Sequence, residues 1–336
     1  MGGGSYDYMS RSTRTMSYKA KSRDEIFTSE SRRTNKVTQD LDIRGKVREC
    51  FDLEGEHDRS FPVIIALDVT GSMGHVPERL VKRDFPEIMK KIIDAGVKDA
   101  QVCFMAIGDH ECDYVPIQVG QFEASDELLD NWLTRLYLEG GGGSNIGESY
   151  LLAWAVAARQ VKTHAWEKRH QKGVLITIGD EENLRTVPSS SRDTLLGIGQ
   201  GPINDRDILD EAREKWNVYH INLMDYAGKS KGVQDYWTQL LGDHLINTQT
   251  SNGSDIIDII PKLVIDAYNE QEQGCLEDEE DNMPELSSEG SSNKKDDDPF
   301  FAMAAMMAMQ QMAGGNGLSG KKKKKASEED LEAASM

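Results

Sequence analysis

The sequence predicts an α/β protein with a mostly parallel central sheet, one antiparallel edge strand and helices on both faces. Short, continuous apolar runs, typical of strands buried on both faces, recur between Phe61 and about Gln273. Segments with helical periodicity lie between them. Because strands joined through helices pair in parallel by right-handed crossovers, this alternation favours a sheet covered on both sides.

The predicted strands follow in chain order. The most apolar run, Phe61–Val69, is the first, and Ala100–Ile107 is the second. Pro116–Phe122 alternates like a half-exposed strand and follows after a short turn, which suits an antiparallel edge hairpin better than a crossover. Further strands are predicted at Gly173–Ile178, Asn217–Met224 and His244–Thr248.

The predicted helices carry apolar stripes at helical spacing. The stripes run from Leu80 to Ile93, from Leu128 to Leu136, from Leu151 to Val161 and from Ile256 to Tyr268. About two hundred residues of this pattern are enough to bury a large core.

Composition divides the chain into three parts. Residues 1–58 are a polar, locally basic N-terminal arm, either flexible or draped on the domain, or a docking arm for an acidic partner. Residues 59–273 form the α/β domain. Residues 274–336 are a low-complexity tail that we expect to be disordered, with a Met-rich stretch at 300–312 that could form a short helix on a partner.

Charge and cysteine content narrow the functional class. The formal net charge of −19 disfavours nucleic-acid binding and favours divalent cations or basic partners. The four cysteines are too scattered for a disulfide framework or a zinc motif, which suits a reducing compartment. With no signal-peptide core and no apolar run long enough to span a bilayer, we expect a cytoplasmic protein without a membrane partner.

The most informative motif follows the first strand. Asp68, Thr70 and Ser72 alternate along a turn and place three hard oxygens on one side, which is a donor set that Mg2+ prefers. Ligands of an open parallel sheet collect at the carboxyl ends of its strands, where the strand order reverses. The loop at 140–145 and the acids that begin at Asp180 should converge there, which predicts an open-sided cation site.

These residues resemble the von Willebrand factor A family in its intracellular bacterial or viral type. The first metal motif of that family, Asp-x-Ser-x-Ser, stands here as Asp68-x-Thr70-x-Ser72, with Thr in place of the middle Ser. The family's threonine in a glycine-containing loop is best matched by Ser144, and its aspartate after the following core strand by Asp180. The resemblance implies a Rossmann-like fold with a metal-ion-dependent adhesion site (MIDAS) in which these five residues hold Mg2+ or Mn2+.

The resemblance covers roughly residues 61–270 and also implies a function. An incomplete shell of hydroxyls and carboxylates leaves the cation electrophilic, so an acidic side chain of a partner protein completes the coordination. The implied protein is a non-enzymatic, metal-dependent adaptor, and relatives of this type often act beside ring-forming ATPases. No nucleic-acid partner is expected.

Several alternatives stay open. Asp68 or Ser144 could cap a helix, and Asp180 could be a surface acid. The cluster Asp109–Asp113 lacks a second ligand pair for zinc, and we expect it to orient its loop or support the site from behind.

Two other functions are compatible with the motif. The chain could be a structural or assembly protein with a degenerate metal site. It could also be a Mg2+-dependent phosphohydrolase with Asp68 as nucleophile, although Thr70 stands where the leaving group would need an acid.

Overall fold

The structure is a computed structural model and describes residues 3–29, 31–73, 75–140, 147–198, 201–249 and 255–281. The strands are β1 (Arg48–Cys50), β2 (Phe61–Asp68), β3 (Ala100–Ile107), β4 (Ile117–Val119), β5 (Val161–Thr163), β6 (Gly173–Gly179), β7 (Thr186–Val187), β8 (Ile203–Asn204), β9 (Trp216–Leu223) and β10 (Leu245–Thr248). The α-helices are α1 (Tyr8–Tyr18), α2 (Arg23–Ile26), α3 (Ser31–Thr34), α4 (His75–Arg79), α5 (Phe85–Asp94), α6 (Asp126–Thr134), α7 (Tyr150–Arg159), α8 (His164–Arg169), α9 (Ser189–Leu195), α10 (Asp205–Lys215), α11 (Lys231–Leu241) and α12 (Asp255–Asp281). A π-helix, Leu80–Asp84, joins α4 to α5.

The main sheet has the strand order β10-β9-β6-β2-β3-β4. Its neighbours pair in parallel except for β4, which pairs antiparallel with β3 at one edge. The predicted α/β class, with a mostly parallel sheet and one antiparallel edge strand, is therefore confirmed. The six predicted strands correspond to the six strands of this sheet.

Strand β2 lies inside the sheet and is buried along its whole length, as its continuous apolar run predicts. Val63, Ile65 and Leu67 face a core that α5 and α12 also line. Ile64 and Ala66 face the opposite core, which contains α7, α10 and α11. Each such aliphatic side chain contributes about 1.5–3 kcal/mol on burial, so both layers of helices are held by the same strand.

Two predicted helices end earlier than their stripes. Helix α6 ends at Thr134, before Leu136, and α7 ends at Arg159, before Val161. Val161 instead starts β5, which pairs in parallel with β1 of the N-terminal arm. The apolar stripe cannot distinguish these cases, because the strand partner comes from more than a hundred residues earlier in the chain.

The N-terminal arm is draped over the domain. Asp7 caps α1 by accepting from the backbone amides of Met9 and Ser10. Arg11 is fully buried, forms an ion pair with Asp130 of α6 and donates to the carbonyl of Val81 in the π-helix at 3.3 Å. Part of the positive charge of the arm is therefore neutralised by acidic residues of the domain itself.

Two further predictions concern the rest of the chain. The tail is predicted to begin at residue 274, but α12 continues to Asp281. The rest of the predicted tail, including the Met-rich stretch at 300–312, lies outside the described residues. Within the ranges that the structure describes, no helix combines the length and the apolar character needed to cross a bilayer.

We predict that Arg11→Met lowers the free energy of unfolding by about 3 kcal/mol, because it leaves the carboxylate of Asp130 buried without its main counter-ion. Arg59→Ala is the matched control, since its ion pair with Glu272 is half exposed and should contribute less than about 1 kcal/mol. Urea unfolding followed by circular dichroism measures both, and equal losses would contradict a structural role for Arg11.

Candidate metal centre

The candidate centre lies where β2 and β6 end. The two strands are parallel neighbours, with Leu67 opposite Ile178, so Asp68 and Asp180 come to the same edge of the sheet. From β2 the chain continues to β3 on one side, while β6 lies on the other, which makes this gap the point where the strand order reverses. Both carboxylates are fully buried at this edge.

The turn after β2 closes around Asp68. Its Oδ1 accepts from the backbone N–H of Thr70 at 2.8 Å and from the Thr70 hydroxyl at 2.6 Å. Its Oδ2 accepts from the hydroxyl of Tyr150 at 3.0 Å. The pKa of Asp68 is raised to about 7: burial and the nearby charge of Asp180 raise it, and the hydrogen bonds from Thr70 and Tyr150 partly oppose them.

The second carboxylate is satisfied on one oxygen. The Ser72 hydroxyl donates to Oδ1 of Asp180 at 2.9 Å. Oδ2 of Asp180 is buried and has no hydrogen-bond partner within the described part of the chain. Burial raises the pKa of Asp180 as well. The structure therefore brings Asp68, Thr70, Ser72 and Asp180 together, and Asp180 is not a surface acid.

Ser144, the fifth predicted ligand, lies outside the described residues. The described residues on either side of its loop are hydrogen-bonded to the site: the N–H of Gly140 donates to the carbonyl of Val69 at 3.4 Å, and that of Gly147 to the Glu181 carboxylate at 2.7 Å. Helix α7 begins at Tyr150 with Ser149 at its N-cap position.

Sequence reasoning missed Glu148, which precedes α7. Its side chain is buried and its Oε2 has no partner among the described residues. Burial raises its pKa to about 10, and the charges of Asp68 and Asp113 act in the same direction. A glutamate between a glycine-rich loop and the helix that follows it is the signal that could have placed it here.

An aromatic group behind Asp68 was also missed. The ring of Tyr150 packs edge-on against His220 and Trp237, which stack on each other at 3.7 Å between centroids. Gly179 allows this approach, because a Cβ there would lie 1.7 Å from the Tyr150 hydroxyl oxygen. Burial lowers the pKa of His220 far below its ordinary value, so this support for Asp68 is uncharged at neutral pH.

The predicted loop-orienting cluster follows β3. Asp109 accepts from the backbone N–H of Glu111 at 2.7 Å and from the Cys112 thiol at 2.5 Å, while its own N–H donates to Asp113 at 2.8 Å. The His110 ring and the Ser149 hydroxyl lie 2.8 Å apart. These contacts tie the loop to itself and to the start of α7, in agreement with an orienting role.

The residues present fit a hard divalent cation. Within the described ranges, no three His, Cys, Asp or Glu side chains converge to hold a metal by themselves. The predicted set is of another kind, with two carboxylates and two hydroxyls. The unpartnered Oδ2 of Asp180 and the neighbouring buried carboxylate of Asp68 are oxygen donors whose charges a cation would compensate.

No protein-family model matches the chain, and no curated protein does. Similar solved structures include the pilus adhesin SpaC from Lactobacillus rhamnosus GG, with 9% identity over 66% of this chain and 31% of that one, at a TM-score of 0.43. Proximal thread matrix protein 1 from the mussel byssus has 15% identity over 66% and 49% of the two chains, at 0.39. A von Willebrand factor type A structure from Catenulispora acidiphila has 15% identity over 65% and 48%, at 0.36. The chain thus spans about a third to a half of the length of these matches.

We predict that the metal-free protein loses stability contributed by Glu148 as the pH rises. The folded chain keeps this carboxyl protonated up to about pH 10, whereas the unfolded chain loses the proton near the ordinary pKa of 4.5. The contribution is therefore complete below pH 4.5 and declines from there toward pH 10, by at most about 1.4 kcal/mol per pH unit.

Glu148→Gln keeps the shape and cannot ionise, so its stability relative to wild type should increase from about pH 5 to pH 8. Urea unfolding in EDTA at several pH values measures this difference. Glu167→Gln, at an exposed position of α8, is the control that should follow the wild type. A pH-independent difference for Glu148→Gln would contradict the burial of a protonated carboxyl.

Proposed function

We propose that this chain is a non-enzymatic protein-binding module that captures an acidic side chain of a partner protein through Mg2+ or Mn2+. Asp68, Thr70, Ser72 and Asp180 would hold the ion, and Ser144 is proposed as a further ligand from the motif resemblance. When bound, the cation supplies an electrophilic position that a partner carboxylate can occupy.

The observation that carries the proposal is the buried, unpartnered Oδ2 of Asp180 beside the buried Asp68. Burying one carboxylate without a partner is costly, and burying two together adds their repulsion. The pKa of each is raised, which is the electrostatic signature of acids that lack a compensating charge. A divalent cation between them would remove both costs.

The two hydroxyls support a binding role. Thr70 and Ser72 each donate a hydrogen bond to one of the carboxylates, and this leaves the lone pairs of their oxygens available to a cation. The two aspartates would balance the charge of a divalent ion, and the hydroxyls would add ligands without adding charge. Since Mg2+ takes six ligands, the set leaves a coordination position that a carboxylate of a partner can occupy.

The same turn argues for binding over phosphate hydrolysis. The position two residues after Asp68 carries Thr70, whose hydroxyl is hydrogen-bonded to Asp68 and cannot act as an acid near neutral pH. A nucleophilic Asp68 would also have both of its oxygens engaged, by Thr70 and by Tyr150.

We predict that Asp68→Ala abolishes detectable Mn2+ binding in isothermal titration while the far-ultraviolet circular dichroism spectrum stays that of the wild type. The metal would lose a carboxylate ligand, and the fold would lose a charge that is unfavourable without metal. Asp94→Ala, at the exposed end of α5, is the control and should bind Mn2+ as the wild type does. Unchanged Mn2+ affinity in Asp68→Ala would place any metal site elsewhere.

We further predict no Asp68-dependent hydrolysis of p-nitrophenyl phosphate in the presence of Mg2+. The reason is the missing acid at Thr70. Turnover by the wild type that disappears in Asp68→Asn would overturn the binding proposal in favour of a phosphohydrolase.

A further inference from the structure

A cavity of about 350 Å3 opens beside the candidate metal centre, between α1 of the N-terminal arm and the helical segment that follows the metal motif. We call it the basic pocket, and its lining residues are Lys19, His75, Glu78, Arg79, Lys82 and Arg83. Five of these lie on the continuous run of α4 and the π-helix. Lys19 comes from the end of α1, so the pocket exists only because the arm is draped on this helix.

His75 connects the basic pocket to the metal centre. Its Nδ1 lies 3.2 Å from the carbonyl oxygen of Ser72, the last residue of the metal motif. Its charge when protonated acts on Asp180 and favours the ionised carboxylate. Its ring also packs edge-on against the exposed ring of Tyr226 at 6.1 Å between centroids. The basic pocket is therefore directly adjacent to the proposed metal ligands, through the contact between His75 and Ser72.

The charges of the pocket are predominantly positive. Lys82 pairs with Glu78 at 2.7 Å, and Arg23 approaches Glu78 at 3.8 Å from α2. Glu78 is thus shared between two cations, and its negative charge is compensated within the pocket wall.

A second acid lies behind the pocket. Asp84 is buried, and both Arg79 and Arg83 pair with it, at 2.9 Å and 2.5 Å. The neighbourhood therefore holds five Lys and Arg side chains, with Lys19 included, against two acids. This surplus stands out on a chain with a formal net charge of −19.

We propose that the basic pocket is the docking surface for an acidic segment of a partner protein, one of whose carboxylates reaches the metal centre. This inference rests on the proposed function and deepens it, because it names the partner segment by its chemistry. Acidic residues next to the metal-bound one would lie over Lys19, Lys82 and Arg83, whose charges are complementary to theirs.

The same surface suits an acidic peptide better than a nucleic acid. A phosphate backbone tracks a long positive groove, whereas here the cations are confined to one cavity on a strongly acidic protein. The adjoining centre also offers a site for a carboxylate. The acidic surface elsewhere would repel a partner segment and so direct it to this cavity.

The test uses the full chain and a fluorescein-labelled peptide that contains four glutamates, with a matched four-glutamine peptide. Anisotropy in Mg2+ at low salt measures the affinity. The double variant Lys19→Glu, Lys82→Glu reverses two charges of the pocket. The control Lys90→Glu, Lys162→Glu makes the same change in net charge at exposed positions outside the pocket lining.

We expect the pocket variant to bind the glutamate peptide about tenfold more weakly, and the control variant to stay within about twofold of wild type. High salt should remove most of this difference, since exposed charges are screened. Mn2+ affinity, measured by isothermal titration, should be the same in both variants and in the wild type, which shows that the metal centre is intact.

The outcomes separate the two proposals. Equal losses in the pocket and control variants, no binding of the glutamate peptide by wild type, or tighter binding of a short oligothymidylate would overturn the docking surface. If Asp68→Ala loses the peptide and the pocket variant keeps it, the docking surface is refuted and the metal site is supported. A wild type that binds no Mn2+ but loses the peptide in the pocket variant would refute the metal centre and support the pocket.

Discussion

The structure depends on placing two carboxylates side by side, out of water, at the carboxyl ends of β2 and β6. Parallel pairing of these strands fixes Asp68 next to the first residue beyond β6, so the proximity of Asp180 is a consequence of the sheet register. Burial opposes ionisation of both acids, and the repulsion between them opposes it further. Hydrogen bonds from Thr70, Ser72 and Tyr150 to the two carboxylates offset part of the cost of burying them.

Each oxygen of the pair has a distinct environment. Three are held by uncharged donors, from Thr70, Tyr150 and Ser72, and Oδ2 of Asp180 has none among the described residues. Uncharged donors orient a carboxylate without cancelling its charge. The edge therefore keeps its negative potential, and Glu148 adds a third buried carboxyl, which holds its proton at neutral pH. The proposed occupant of this edge is a divalent cation, whose charge would compensate the two aspartates.

The sequence was sufficient for the six strands of the main sheet and for the two aspartates, because a continuous apolar run followed by a polar turn is a local pattern. It could not predict the hydrogen bond from Tyr150 to Asp68 or the ion pair of Arg11 with Asp130, since the partners are 82 and 119 residues apart in the chain. The place of Glu148 at the site could not be predicted for the same reason: its acidic neighbours become visible only in the fold. Helix α1 of the arm was not predicted, because its buried residues are Arg11 and Thr15 and it lacks the usual apolar stripe.

The draped arm links stability to recognition. Arg11 and Thr15 both donate to the carbonyl of Val81, inside the π-helix that continues from the metal motif. A π-helix is an uncommon, strained form that often occurs at functional sites, and here two buried side chains of α1 satisfy one of its carbonyls. The same contact positions Lys19 at the basic pocket. Under the proposed docking of an acidic segment, a strongly acidic protein needs a local region of positive charge. The arm contributes to one here, because its buried, ion-paired helix is followed by Lys19 at the basic pocket.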